Sequence, residues 1–245
     1  MNVLILGYTG FIGSAIFVNV QEKYTCVGMR SIDAPLANRF DVVINCAGFS
    51  RVYAAENDPA DMRKSEEAIF EKIKLLTFDK LIHISTSHID SHPKSKYSMI
   101  KLEIENRLRN LCANSLSILR VSGVIGKGLK KNVVFDLLHD LDLFVTREST
   151  YNYITTSEVA NIVRCIIDND IAGIINIGAV NSISVHNIAR LFGKIPTYGT
   201  RTEAINIDTS LLQGFYSVAS SEYYLNEYRK SLENLKDENS TSYVV

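Results

Sequence analysis

No apolar run in this 245-residue chain reaches the length of a membrane span. The longest, at 3–6, 42–44 and 81–84, are the size of strands. Charge of one sign is missing too. Lys and Arg number 26 against 27 Asp and Glu, a formal net charge of -1, and no block of charge stands out before the mixed run at 236–238. That balance gives no electrostatic reason to expect nucleic acid or an anionic membrane as a partner. Cysteine is sparse: Cys26, Cys46, Cys112 and Cys165 stand far apart, without the close pairs a metal site or thiol redox motif needs, and read as reduced core thiols. Repeats and low-complexity segments are absent. Met1-Asn2 leads directly into Val-Leu-Ile-Leu with no basic segment or cleavage signal, so a cytoplasmic location is expected.

What is present is alternation. Apolar runs at 2–6, 24–29, 42–46, 80–84, 116–121 and 174–177 read as strands, and helical periodicity appears at 11–21, 59–76, 97–112 and 156–168. Near-continuous apolar strands interleaved with helices predict an α/β fold, a doubly wound parallel sheet covered on both faces. After 177 the pattern loosens into a helix at 184–192, a strand at 203–207, a last helix at 221–235 and a frayed tail. One domain is expected. Residues 1–122 would be its dinucleotide-binding core, 123–236 would mix core strands with a small substrate lobe, and 237–245 would be a flexible tail.

Gly7-Tyr8-Thr9-Gly10-Phe11-Ile12-Gly13 lies between the first strand and the first helix. Glycines spaced in this way let the backbone turn tightly, bring N–H groups up to a pyrophosphate at a helix N-terminus, and let helix and strand pack closely. The second strand ends Met29-Arg30-Ser31, where an NAD enzyme offers a carboxylate to the ribose hydroxyls. A guanidinium suits a 2′-phosphate, which favours NADP(H) over NAD(H); Asp33 stands close by, and the alternative for Arg30 is a solvated surface residue.

Tyr97 and Lys101 lie four apart on a predicted helix and so share one face. An ammonium beside a phenol lowers the phenol pKa and suits Tyr97 to exchange a proton. Thr86 or Ser87, at the preceding strand end, supplies a hydroxyl for the substrate oxygen. His83, His88 and His92 cluster in sequence without an acidic or cysteine ligand to complete a set, so no metal is expected.

Taken together these motifs resemble the extended short-chain dehydrogenase/reductases, the branch of sugar-nucleotide epimerases, dehydratases and reductases, along nearly the whole chain. Asn45-Cys46-Ala47-Gly48 is similar to that family's strand end beside the cofactor, and residues 119–126 to its Leu-Arg segment leading into the substrate lobe. Residues 152–160 are similar to its Tyr-x-x-x-x-Asp-Val-Ala block and 207–211 to a late Asp-x-Ser element. The resemblance implies Tyr97 as general acid/base, Lys101 on the nicotinamide ribose, and Val121 beside the cofactor. Arg51, His88, Ser122, Asn132 and Arg201 become candidate substrate contacts, and a homodimer through the helices at 59–76 and 97–112 is implied. Ser87-His88 stand where the family's dehydratases carry Asp-Glu, which argues against dehydration. The eleven-position step from Thr86 to Tyr97 is most similar to reductases of 4-keto-6-deoxy sugar nucleotides in surface-polysaccharide synthesis. An epimerase with tightly bound NAD(H) and a non-catalytic NADP(H)-sensing regulator are the alternatives.

Overall fold

The computed structural model describes residues 1–30, 33 and 38–241. The chain runs β1 (Asn2–Leu6), α1 (Phe11–Val20), β2 (Thr25–Met29), β3 (Arg39–Asn45), α2 (Val52–Asn57), α3 (Pro59–Lys74), β4 (Thr77–Thr86), α4 (His88–Ser91), α5 (Lys96–Cys112) and β5 (Leu116–Val121). It continues with β6 (Gly123–Ile125), α6 (Val133–Leu138), β7 (Thr150–Tyr151), β8 (Tyr153–Thr155), α7 (Thr156–Asp168), β9 (Gly173–Ile177), β10 (Ile183–Ser184), α8 (Val185–Leu191), α9 (Ser210–Gln213) and α10 (Ser221–Thr241).

Two compact units emerge. The first, Met1–Val121 with Thr156–Ile177, holds a six-stranded parallel sheet in the order β2-β1-β3-β4-β5-β9. This is the doubly wound, Rossmann-like sheet that the alternation predicts. Helix α1 packs on α7 and α3 on α5, and right-handed crossovers put these pairs on opposite faces. Alternation along the strands divides the core accordingly: Leu4, Leu6, Val43, Leu81 and Ile118 join Ile69, Phe70, Ile73, Ile104 and Leu108 of α3 and α5 in one buried cluster. The chain winds one way from β1 to β2 and the other way from β3 onward. Strands β1 and β3 are neighbours, so the crevice beyond their C-terminal ends is the switch point where this architecture binds ligands.

Strand β4 begins at Thr77, earlier than its apolar run. Arg39 pairs with Thr77 in register, and an ion pair from Arg39 to Asp79 gives this polar end its partner.

The second unit, Ser122–Thr155 with Gly178–Val245, contains the parallel pair β6/β8 and the antiparallel pair β7/β10. Asn152 organises it: its amide donates to the carbonyls of Ala179 and Asn181, at 2.9 Å each, and accepts from Ala179 N–H at 2.8 Å. The strand expected at 203–207 does not form. Its alternation makes one isolated bridge, Thr150 to Ala204, because β7 is only two residues long and offers no ladder to extend. Helix α10 passes the expected end at 235 and runs to Thr241, with no glycine or proline to stop it.

Candidate active site

The glycine turn starts with Gly7 at φ +81°, its N–H donating to Met29 O at 2.7 Å and its carbonyl accepting from Gly10 N–H at 2.9 Å. A Cβ on Gly7 would come within 2.7 Å of Ala47 N, and one on Gly13 would collide with Gly7 O. Glycine is therefore required where β1, β3 and α1 converge. Helix α1 opens at Phe11 with Gly10 as cap, without a side-chain cap bond and without an acidic residue in its first turn, so Ile12 and its neighbours leave N–H groups for an anion. Tyr8 lies flat on Gly28, where a Cβ would meet its ring at 2.5 Å, and packs against Phe17. Thr9 is exposed at the turn. These residues fit the pyrophosphate and adenosine portions of a dinucleotide, with the backbone as cradle.

At the end of β2 the Arg30 guanidinium is paired with Asp33, Nη2 to Oδ1 at 2.9 Å, and Asp33 also accepts from Arg30 N–H at 2.8 Å. Both side chains face solvent, and the guanidinium holds the Asp33 carboxyl below its usual range. Ser31 lies outside the described residues. Cys46 follows β3, its thiol pushed up to about 12 by burial, which fits a packing residue rather than a nucleophile.

The catalytic candidates meet at the ends of β4 and α5. Tyr97 is 5% exposed. Its hydroxyl hydrogen-bonds with the Thr86 side chain and donates to Phe49 O at 3.4 Å. Thr86 thus stands beside the phenol, while Ser87 is buried and donates its backbone N–H to Val121 O at 3.0 Å. The His88 ring meets Tyr97 edge-on at 5.5 Å and hydrogen-bonds Ser98 through Nδ1 at 3.0 Å. Arg51 is exposed just ahead of α2.

Lys101 follows one turn after Tyr97, and its environment departs from expectation. It is buried, and its Nζ sits 2.5 Å from Oε1 of Glu66, itself 1% exposed. Gly48 makes room for the pair: a Cβ there would approach Lys101 Nζ to 2.9 Å. Instead of lying below the ordinary tyrosine range, the Tyr97 phenol is raised above it, first by burial and then by the Glu66 charge, against the Thr86 hydrogen bond. Glu66 falls in none of the sequence motifs. The available signal was a charge on the buried stripe of α3, in line with Met62, Ile69, Phe70 and Ile73.

Buried polar groups support this site from below. His83 bonds Asn45 Nδ2 at 2.9 Å, and Asn45 Oδ1 accepts from Ala47 N–H at 3.1 Å. Glu105, two turns after Tyr97, accepts from Ser85 at 2.5 Å and from Arg120 at 2.6 Å, and Arg120 reaches Asp90 of α4 at 2.7 Å.

In the second unit, Asn132 is the N-cap of α6. Its Oδ1 accepts from the N–H groups of Val134 and Phe135 and its Nδ2 donates to Val124 O, at a φ of 103°. Arg201 pairs with Glu203 at 2.5 Å. The Ser122 hydroxyl is buried with no partner among the described residues.

No protein-family model matches the sequence, and no curated protein matches it. Solved structures do match. A UDP-glucuronic acid 4-epimerase from Bacillus cereus, in complex with UDP-glucuronic acid and NAD, is 20% identical with a TM-score of 0.76 over 95% of this chain and 100% of its own. A dTDP-4-dehydrorhamnose reductase from Clostridium acetobutylicum is 20% identical with a TM-score of 0.77 over 95% and 100%. An NAD-dependent NDP-hexosamine 5,6-dehydratase of tunicamycin biosynthesis is 15% identical with a TM-score of 0.78 over 95% and 98%. At these identities the shared property is the fold.

Proposed function

We propose that this chain is an NADPH-dependent reductase of a 4-keto-6-deoxy sugar nucleotide, acting in the cytoplasm in the synthesis of a surface polysaccharide. The observation that carries the reading is Tyr97, a buried phenol hydrogen-bonded to Thr86 with Lys101 one turn further on, at the C-terminal end of β4 in a parallel sheet. When bound, the reduced nicotinamide supplies a hydride to the keto carbon. Thr86 holds the carbonyl oxygen, and Tyr97 gives that oxygen its phenolic proton, so the sugar leaves as a secondary alcohol. Gly7–Gly13 and the strand end at Cys46, Ala47, Gly48 and Val121 hold the cofactor, with Arg30 taking the 2′-phosphate in exchange for Asp33.

Likeness to a dTDP-4-dehydrorhamnose reductase supports this reaction, as does Ser87-His88 where a dehydratase needs an acid and a base. Likeness to epimerases keeps a second reading in view. Absorbance of the reduced nicotinamide, followed with NADPH or NADH and a panel of 4-keto-6-deoxy sugar nucleotides, separates the two. Consumption of NADPH is expected. No consumption, with NAD(H) found already bound, would transfer the assignment to epimerisation. The working form is a homodimer through α3 and α5; the exposed Met99 and Leu102 on α5 support it, and charging both should yield a monomer by light scattering.

A further inference from the structure

Glu66 has no part in the reaction as written above, yet it is the charged group most tightly bound to it. Its Oε1 accepts both from Lys101 Nζ at 2.5 Å and from Phe49 N–H at 2.7 Å. The same Phe49 residue uses its carbonyl to accept from the Tyr97 hydroxyl at 3.4 Å. One residue therefore joins the carboxylate to the phenol, and because a carbonyl oxygen can only accept, this contact requires the phenol to keep its proton. Lys101 Nζ lies 5.8 Å from the Tyr97 ring centroid, more than twice its distance from Glu66. From the phenol, the ammonium and its partner look like a dipole rather than a net positive charge.

We propose that Glu66 is a positioning residue that sets the direction of proton transfer: by holding Lys101 in a buried ion pair it withdraws the ammonium's charge from Tyr97 and reserves the phenol for donating a proton. The proposal rests on the reductase reading and deepens it. A reductase needs an acid at the substrate oxygen, whereas an enzyme that begins by oxidising an alcohol needs a base there. An unpaired lysine would favour the phenolate and thus the base. The other groups facing Tyr97 do not replace this control. Glu56 of α2 accepts from its backbone N–H at 3.0 Å, Lys96 of α5 donates to Glu56 O, His88 of α4 offers a ring edge with His92 stacked behind it, and Thr86 of β4 shares the hydrogen bond. His83, deeper in β4, feels Lys101 and is held neutral by burial.

The experiment is a pH titration of the full chain labelled with 13C at tyrosine Cζ, the Tyr97 resonance being assigned by its loss in Tyr97→Phe. Wild type should keep Tyr97 protonated through about pH 9–11, where ordinary tyrosines titrate. Glu66→Gln should lower its midpoint by about 1–3 units, the effect of an unopposed charge at this range. Glu66→Gln combined with Lys101→Met should restore the wild-type behaviour, which a merely structural role for Glu66 would not. The alkaline limb of the NADPH-oxidation rate should move with the midpoint. A wild-type Tyr97 that titrates at or below the ordinary value overturns the proposal whether or not any variant folds, and so does an unmoved midpoint in folded Glu66→Gln. The titration uses neither cofactor nor substrate, so an absence of reductase activity would count against the function and leave this result to be judged separately.

Discussion

Tyr97 carries the chemistry of the proposed reductase, and its surroundings separate that proposed role from any role in binding. The side chain is buried against Thr86, His88 and Phe49, so Tyr97→Phe keeps the packing and removes only the hydroxyl. Loss of a positioned proton donor lowers rates by about 10²–10⁴-fold. We expect Tyr97→Phe to cut kcat by that factor while the dissociation constant for NADPH, followed by fluorescence, stays within about threefold; undiminished turnover would remove Tyr97 from the mechanism. His83 gives a second residue-scale test, on stability. Burial pushes its imidazole down to about 3, with Lys101 adding to the effect, whereas an unfolded chain binds that proton near pH ~6.5. Between these values the unfolded state carries more protons. The stability from a neutral His83 is therefore complete above about pH 6.5 and declines, at roughly 1.4 kcal/mol per unit, as pH falls toward the folded value. Urea denaturation at pH 7, 6 and 5 should show that slope, and His83→Gln, which cannot take up the proton, should flatten it.

Helix α5 does more than present the Tyr97/Lys101 pair. Its residues 97, 101 and 105 lie one above another on a single face, and each engages a different element: Tyr97 meets β4 through Thr86, Lys101 meets α3 through Glu66, and Glu105 meets β5 through Arg120 and β4 through Ser85. Arg120 extends this chain of contacts to Asp90, tying the short helix that carries His88 to the same frame. Glu105 is 1% exposed and the Arg120 side chain 13%, so deleting the carboxylate leaves a mostly buried guanidinium with Asp90 as its remaining carboxylate partner among the described residues. Breaking a buried pair from one side costs about 3–5 kcal/mol. Glu105→Ala should lose stability in that range in chemical denaturation, and its remaining activity should show a raised KM because the α4 segment loses its anchor; a loss below about 1 kcal/mol would mean that solvent replaces the carboxylate at little cost. Sequence periodicity revealed the helix and placed Tyr97 and Lys101 on one face of it. It did not reveal the buried carboxylates Glu66 on α3 and Glu105 on α5, because a hydropathy pattern registers each as a break in its own helix's apolar face and says nothing of the lysine and arginine they meet.

At the level of the molecule, the central strands, the glycine turn and the four large flanking helices were legible because each depends on local chemistry: continuous Val, Ile and Leu in strands buried on both faces, and glycines at 7, 10 and 13 where a Cβ would meet backbone. The second unit was less legible. Its strands are two or three residues long and are held by side-chain networks such as that of Asn152, and Asn132 and Arg201 proved to be occupied by a helix cap and by Glu203, partnerships no local pattern encodes. The choice of cofactor sits between these cases, since Arg30 was visible at the end of β2 but its ion pair with Asp33 was not. That pair sets up a competition. A 2′-phosphate carries more charge than one carboxylate and fits the guanidinium fork, whereas the ribose hydroxyls of NADH would leave Arg30 on Asp33. Ligand that binds only the folded state raises its stability by about 2.7 kcal/mol at a concentration 100 times Kd, or about 5–10 °C in Tm for a chain of this size. At equal concentrations NADPH should raise Tm by several degrees more than NADH, and Arg30→Ala should erase the difference by weakening NADPH alone. If NADH proved the better stabiliser, and Asp33→Ala rather than Arg30→Ala abolished its effect, the acidic partner would be the one that reads the ribose and the cofactor would be NAD(H).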